Sequence, residues 1–495
     1  MSTIQNLFQQ AQLAEAAYAD FGKFASPKDA LIDNSFSDTQ ATAFLADWSV
    51  ISQQPDTENG FSATLFKNKS GTYSLAIRGS TPAQGMLDFI DDTKLIASDG
   101  IAVKQVVDLY NYWQSLTHTG AYPVAKLTTM TVESAILTLY GGSWASIPRS
   151  ALNYVLGTDF SYDPLSVPSD VARAFFTAAG YIVDNGMVYK LEPDTSINIY
   201  SDSRRLGTSV PSLSSVTVDG HSLGGHLAMA FSRLFPNATN SVTAVNGLGF
   251  KIGNANVDNL FSAFGDLPSS PNSVGTAFDA GKIQNVYGIA GAEFAAMNNG
   301  ILQQPGGWDG IYIESAILPV GVALGHGAGQ MTDSLALYNL LATLDPSLNT
   351  ATPDNLTKLT GFLKASSYVA ANSLEYTLDA LRTLLQTDYT LGSANRVALP
   401  ATAIDDRESL YANLQSLQVY LAGSAFNLNT GDTQLPQYAF TLHTLQEAAG
   451  SKGLAEAAKA DLATRYALYQ GNTFVLDSKC YQTDLYGTIN SNGAL

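Results

Sequence analysis

The stretch VTVDGHSLGGHLAMAF, residues 216–231, places a serine between glycines where β-branched residues give way to a helix-forming run. Its core GHSLG, residues 220–224, has the G-x-S-x-G form of a nucleophile elbow, a strained strand-to-helix turn that displays a serine hydroxyl above a sheet. The pentapeptide alone is weak evidence, because a long glycine-rich chain often contains it within an ordinary loop. The strand–turn–helix setting favours the elbow. We therefore predict that Ser222 is a nucleophile and that the Leu223 N–H is one oxyanion donor.

A serine hydroxyl needs a base to remove its proton, and the usual base is a histidine. In this type of fold the triad follows the chain order serine, acid, histidine, which excludes His118. His221 lies inside the elbow and His226 about one helical turn beyond Ser222, so neither readily faces the hydroxyl from across the site.

Two histidines remain as candidate bases. His443 lies in the apolar, helix-like YAFTLHTLQEAA, where a packing role is the simpler explanation. His326 lies in a Gly-rich loop between a predicted strand and a predicted helix, where a side chain can be displayed at the end of a sheet. We predict that His326 is the base.

The acid is less well determined by the residues. A carboxylate that orients the imidazole should follow the carboxyl end of a strand beside the nucleophile. Glu293 follows the strand-like NVYGIAGA and fits this position best. Asp309, in GGWDGIYIES, is the alternative, although a turn before a strand would also explain it.

A second oxyanion donor should come from a loop that follows an earlier strand. The segment RGST, residues 78–81, ends the strand-like YSLAIR, and Ser80 offers both a backbone N–H and a hydroxyl. An isolated RGST would be equally compatible with a simple turn. Next to an elbow, it predicts that Ser80 belongs to the oxyanion site.

The pattern of strands and helices predicts an α/β fold with a mostly parallel central sheet. FSATLFK and TYSLAIR alternate around a turn at residues 68–71 and predict a hairpin. A catalytic domain is expected over 1–350, with an insertion at about 120–200 made of short helices and loops, either a small subdomain or a lid. Amphipathic patterns predict a mainly helical domain over 351–495.

The composition and net charge of the chain disfavour some classes of binding partner. The 495 residues carry 25 basic and 43 acidic side chains, a net charge of −18, which disfavours nucleic acids and anionic membranes as partners. No apolar run is long enough for a transmembrane helix, so lipid contact would be transient and apolar. One cysteine, Cys480, permits no internal disulfide. The first residues lack a secretory signal pattern.

The chain resembles the class 3 lipase family of α/β-hydrolases, and within it the large bacterial lipase-like proteins of the calcium-repeat secretion type. The matching segments include AIRGST with DFIDD, GHSLGGHLAMAFSRLFP, VNGLGF and GHGAGQMTDSLALYNLL, and the likeness continues through ESLYANLQSLQVYLAG and DLATRYALYQGNTFVL. It covers most of residues 1–490.

The resemblance implies a lipase or esterase acting on acyl esters, with Ser222 as nucleophile, His326 as base and Ser80 in the oxyanion loop. The family's acid is usually an aspartate, whereas the candidate here is Glu293. Ester hydrolysis by a serine, a histidine and an acid requires no cofactor or metal. Ca²⁺ binding stays open as an alternative, but the sequence gives it no support, because the calcium-binding repeats are missing. Release from a bacterial cell without a signal peptide is expected, with a cytoplasmic location as the alternative.

Three further functions stay open from the residues. A phospholipase A or a polyester-degrading hydrolase would use the same triad with a different pocket. A non-catalytic lipid-binding scaffold would retain the elbow without using it. A serine peptidase is disfavoured, because no charged specificity pocket is recognisable.

Overall fold

A computed structural model of the chain describes residues 2–80, 96, 98–119, 124–140, 170–194, 204–251, 253–268, 274–289, 296, 298–314, 326–367, 374–385, 407–421, 440–469 and 471–477. Its strands are β1 (Trp48–Gln54), β2 (Ala63–Asn68), β3 (Tyr73–Ile77), β4 (Val124–Met130), β5 (Ile182–Asp184), β6 (Met187–Asp194), β7 (Leu206–Gly207), β8 (Val216–His221), β9 (Thr239–Val245), β10 (Phe250–Lys251), β11 (Ile283–Gly288), β12 (Leu302–Gln303), β13 (Gly307–Ile311), β14 (Thr441–Thr444) and β15 (Phe474–Asp477).

Its helices are α1 (Ile4–Ala16), α2 (Pro27–Asp33), α3 (Asp38–Asp47), α4 (Val103–Thr117), α5 (Val132–Leu139), α6 (Asp170–Ala178), α7 (Leu223–Leu234), α8 (Ala255–Gly265), α9 (Ala328–Leu344), α10 (Pro353–Ser367), α11 (Glu375–Leu385), α12 (Arg407–Leu421), α13 (Leu445–Ala449), α14 (Leu454–Ala460) and α15 (Leu462–Tyr469). Among the described residues, none of these helices is both long and apolar enough to cross a bilayer.

The centre of the fold is an eight-stranded sheet in the order β13-β11-β9-β8-β3-β2-β1-β7. The strands β3, β8, β9, β11 and β13 run parallel to one another, whereas β1, β2 and β7 are antiparallel to their neighbours. The predicted α/β architecture with a mostly parallel sheet is confirmed. The predicted hairpin is β2–β3. Its turn runs from Asn68 to Gly71, and Gly71 has a φ of 92°, which glycine adopts readily.

Helices cover both faces of this sheet. On one face, α1 and α9 pack together over the sheet, with Val245 and Val286 in the same buried cluster as Leu335. On the other face, α4 and α7 pack over Val216 and Val218. Burial on both faces explains why most residues of the inner parallel strands β8 and β9 are buried.

The insertion differs from its prediction. Short helices and loops were predicted, and besides the helices α5 and α6 it contains an antiparallel three-stranded sheet in the order β4-β6-β5. Val132, Ile136 and Phe176 form a small buried cluster with Val183 and Val188. This part of the chain therefore has a core of its own, and the segments 120–123, 141–169 and 195–200 lie outside the described residues.

The described residues after 350 form the helices α10–α15 and the strand pair β14–β15. The segment predicted as a helix around His443 begins as strand β14, which pairs with β15, and α13 starts only at Leu445. Thr444 ends the strand and caps the helix with its hydroxyl, in a capping box with Glu447. After Gly453 the chain forms two short helices, α14 and α15, which are separated by Asp461.

Candidate active site

The serine lies on a sharp turn between β8 and α7. Ser222 has φ 58° and ψ −125°, an uncommon conformation for a residue with a side chain. Two glycines allow the close approach of strand and helix: a Cβ on Gly220 would lie 2.1 Å from the Gly224 oxygen, and one on Gly224 would lie 2.1 Å from the Ile77 oxygen. The local geometry is that of a nucleophile elbow.

The loop after β3 packs directly against this turn. Ile77 is level with Gly220 in the parallel pair β3–β8, so both strands end at the same edge of the sheet. A Cβ on Gly79 would lie 3.0 Å from the Cβ of Ser222 and 2.5 Å from the His221 oxygen. Ser80 follows at once, and the next fifteen residues lie outside the described part of the chain.

Leu223 is the first residue of α7. Its N–H is one of the first four amides of a helix, which have no acceptor within the helix. The helix dipole adds partial positive charge at this end. Leu223 and the loop carrying Ser80 therefore both adjoin the Ser222 turn, where the donors of an oxyanion site would have to lie.

His326 lies beside the residue that precedes the serine. The imidazole rings of His221 and His326 are 4.9 Å apart between centroids. The backbone oxygen of His326 accepts hydrogen bonds from Nε2 of His221 at 2.5 Å and from Nδ2 of Asn246 at 3.1 Å. The structure thus brings together the strand end that carries Ser222 and the backbone of the predicted base, two residues before α9.

Of the two candidate acids, only Asp309 lies in the described part of the chain. Glu293 lies outside the described residues. Asp309 lies on edge strand β13 opposite Val286, and its carboxylate accepts a hydrogen bond from the side-chain amide of Gln284 at 2.8 Å. Gln284 is two residues nearer the amino end of the sheet than Val286, so this carboxylate is directed away from the edge that carries Ser222.

Two further histidines, His226 and His118, have structural partners. His226 is buried, stacks on Phe250 with centroids 4.1 Å apart, and lies between the Ala102 N–H and the backbone oxygens of Leu248 and Gly249. Burial lowers the pKa of His226 to about 4, so the ring is neutral. His118 caps the end of α4. These contacts agree with leaving both outside the catalytic set.

Sequence reasoning missed Tyr18 and Asn246. The Tyr18 hydroxyl lies 2.7 Å from Nδ1 of His221, across 203 residues of chain, and no local pattern in the sequence reports such a contact. Asn246 carried a signal, because an asparagine before Gly247 at the end of a predicted strand favours positive φ, and its φ is 47°.

Within the described residues no group of three or more His, Cys, Asp or Glu side chains could hold a metal ion. Comparison with known proteins adds no assignment: no family model, curated protein or solved structure matches the chain significantly. The functional argument therefore depends on the residues and geometry of the site.

Proposed function

We propose that the protein is a serine carboxylic-ester hydrolase that works through an acyl-enzyme. The observation that carries the proposal is the Ser222 elbow. Ser222 has a strained φ of 58° and is followed by a helix that begins at Leu223. The backbone oxygen of His326 is hydrogen-bonded to the ring of His221, the residue before Ser222. A turn of this kind costs free energy, and such strain is concentrated at functional sites.

The proposed reaction has two halves. Ser222 Oγ attacks the ester carbonyl while His326 takes the hydroxyl proton, and the Leu223 N–H and Ser80 stabilise the negative oxygen. The C–O bond to the alcohol then breaks, and His326 donates the proton to the leaving oxygen. Water attacks the acyl-enzyme by the same route, releasing the acid and returning the proton to Ser222.

Glu293 is the proposed orienting acid, and the position of the end of β11, five residues before it in the chain, supports the proposal. The last residue of β11, Gly288, donates its N–H to Oδ1 of Asn246 at 3.0 Å. The amide nitrogen of the same Asn246 donates to the His326 oxygen. The chain therefore enters the Glu293 segment next to the backbone of the base.

The proposed substrates are acyl esters of lipids. The insertion, with its own apolar core beside α8, is the proposed source of an acyl pocket. Each buried methylene of a chain contributes about 0.8 kcal/mol, so kcat/KM on p-nitrophenyl esters should rise from acetate to octanoate. A fall across that series would favour a simple esterase. Release of acid from phospholipid and from polyester substrates tests the phospholipase A and the polyester-degrading alternatives.

Covalent labelling tests the nucleophile directly. A fluorophosphonate should modify Ser222 in the folded protein, and peptide mapping should locate the adduct there. Ser222→Ala should lose both the adduct and ester hydrolysis, whereas Ser70→Ala, in the exposed β2–β3 turn, should retain both. A folded wild type with no adduct at Ser222 would instead favour the non-catalytic lipid-binding scaffold.

A further inference from the structure

The backbone oxygen of His326 has two side-chain donors from adjacent strand ends. His221 is the last residue of β8 and donates from Nε2 at 2.5 Å, and Asn246 follows β9 and donates from Nδ2 at 3.1 Å. Both side chains are almost fully buried. A carbonyl oxygen has two lone pairs, so these two donors fill its capacity.

The His221 ring is fixed at both of its nitrogens. A carbonyl can only accept, so Nε2 must carry the proton in the bond to His326. Burial lowers the pKa of His221 to about 3, which keeps the ring neutral and leaves Nδ1 as an acceptor. The Tyr18 hydroxyl lies 2.7 Å from Nδ1 and supplies the matching donor. Tyr18 therefore selects the tautomer that bonds the His326 oxygen.

This arrangement joins the end of β8, the His326 backbone and the end of β11. His221 is covalently bonded to Ser222, so a bond from its ring limits how far the His326 backbone can move from the nucleophile. Asn246 links the same oxygen to Gly288, at the start of the segment that carries Glu293. We call His221 and Asn246, with the His326 oxygen that they bond, the carbonyl clamp.

We propose that His221 is a positioning residue, which holds the main chain of the base His326 against the nucleophile through the carbonyl clamp. The inference rests on the proposed function, since it gives His326 the role of base. His221 touches no reacting atom in this scheme. Its contribution is geometric, and displacement of a catalytic group by about 1 Å can cost about 100-fold in rate.

Two substitutions of His221 distinguish the effect of its hydrogen bond from the effect of the size of its ring. His221→Gln keeps a donor where Nε2 stands, and His221→Phe keeps an aromatic ring but no donor. We expect His221→Phe to lower kcat about 10- to 100-fold with little change in KM, and His221→Gln to recover most of that loss. Thermal unfolding of both variants checks that they fold.

The second donor allows a double-mutant cycle. Asn246→Asp keeps the oxygen that accepts from Gly288 and removes the donor to His326. If both side chains act through one oxygen, the loss of kcat in the double variant will differ from the product of the two single losses. Equal losses in His221→Gln and His221→Phe, an increase in KM alone, or a multiplicative double variant would each overturn the inference.

Ring ¹⁵N NMR provides a readout that does not depend on activity. In wild type, His221 should show a protonated Nε2 and a neutral ring at pH 5, and the His326 ring signals should move or broaden in His221→Phe but not in His221→Gln. If wild type neither hydrolyses esters nor labels at Ser222, the proposed function fails and this comparison still decides the clamp. Unchanged His326 signals in both variants would overturn it.

Discussion

Ser222 has a backbone conformation that glycine adopts more easily than serine, with φ 58° and ψ −125°. Such a conformation costs about 1–3 kcal/mol for a residue with a Cβ, partly offset by the greater flexibility of glycine in the unfolded chain. We expect Ser222→Gly to raise the free energy of unfolding by about 1 kcal/mol while abolishing ester hydrolysis.

Ser222→Ala is the matched control, because alanine has the same Cβ and lacks only the hydroxyl. It should lose activity without the gain in stability. Urea unfolding of the three proteins measures the difference. A glycine variant no more stable than the alanine variant would show that the elbow holds little strain.

Asp219, three residues before the nucleophile, is fully buried in the central strand, and Ser74 donates a hydrogen bond to it at 2.5 Å. Burial raises the pKa of Asp219 to about 8. Between its ordinary pKa of 3.8 and about 8 the unfolded carboxyl is ionised and the folded one is protonated, so this group's contribution to stability falls as pH rises. The maximum slope is about 1.4 kcal/mol per pH unit.

Asp219→Asn removes this titration and retains an oxygen that accepts from Ser74. We expect the variant to match wild type near pH 4 and to exceed it in melting temperature increasingly up to pH 8. The measurement is thermal unfolding at several pH values in that range. A difference in melting temperature that is constant with pH would show that Asp219 is ionised in the folded protein.

At the scale of elements, the contact between α7 and β3 fixes the elbow in the sheet. A Cβ on Gly224 would lie 2.1 Å from the Ile77 oxygen, so Gly224→Ala must push the helix away from the strand. We expect a loss of about 2 kcal/mol or more in the free energy of unfolding, together with most of the activity. Gly361 in α10 has open space at its Cβ position, and Gly361→Ala should instead stabilise by about 0.5–1 kcal/mol.

Chemical denaturation of the two glycine variants, with ester hydrolysis on the same samples, tests this contact. The comparison controls for the general effect of replacing glycine by alanine in a helix. If both substitutions were equally tolerated, the close approach of α7 to β3 would not be needed for the elbow.

The sequence predicts best those elements whose apolar pattern is complete within a few residues. The strand β8 follows from its β-branched run, and β2 and β3 follow from the alternation of FSATLFK and TYSLAIR. The insertion sheet was missed because β5 has three residues and β6 mixes apolar with charged side chains. Strand β14 was missed because its four residues adjoin a helical pattern.

In the candidate site too, the sequence predicts local features but not long-range contacts. Ser222 could be nominated from the sequence because the elbow is a local motif, and His326 because chain order and loop composition are local properties. The partners of His221 could not, since Tyr18 and His326 lie 203 and 105 residues away along the chain. Only tertiary packing brings these groups together.

At the scale of the whole molecule, the region after 350 shares its core with the region before it. One buried cluster contains Leu7 of α1, Leu335 of α9, Leu363 of α10 and Leu417 of α12. The predicted division at 350 therefore runs through continuous apolar packing. This suggests that residues on both sides of 350 stabilise one another.

Arg407 at the start of α12 joins these regions through charge. Its guanidinium lies 2.6 Å from a carboxylate oxygen of Glu15 in α1 and 2.7 Å from one of Asp333 in α9, both buried. Burial raises the pKa of Glu15 even with the guanidinium beside it. Removing Arg407 would leave two buried carboxyl groups without this compensating charge.

We expect Arg407→Leu to lower the free energy of unfolding at pH 7 by about 3–5 kcal/mol, and by less near pH 4, where the unfolded carboxyls also become protonated. Lys459→Leu, which breaks the exposed pair with Glu456, should change it by less than about 0.5 kcal/mol. Because the core is continuous across 350, calorimetry should show one transition that shifts as a whole, with ester hydrolysis lost at the same temperature. Two transitions, of which Arg407→Leu moves only one while hydrolysis persists, would instead establish 351–495 as an independently folding domain.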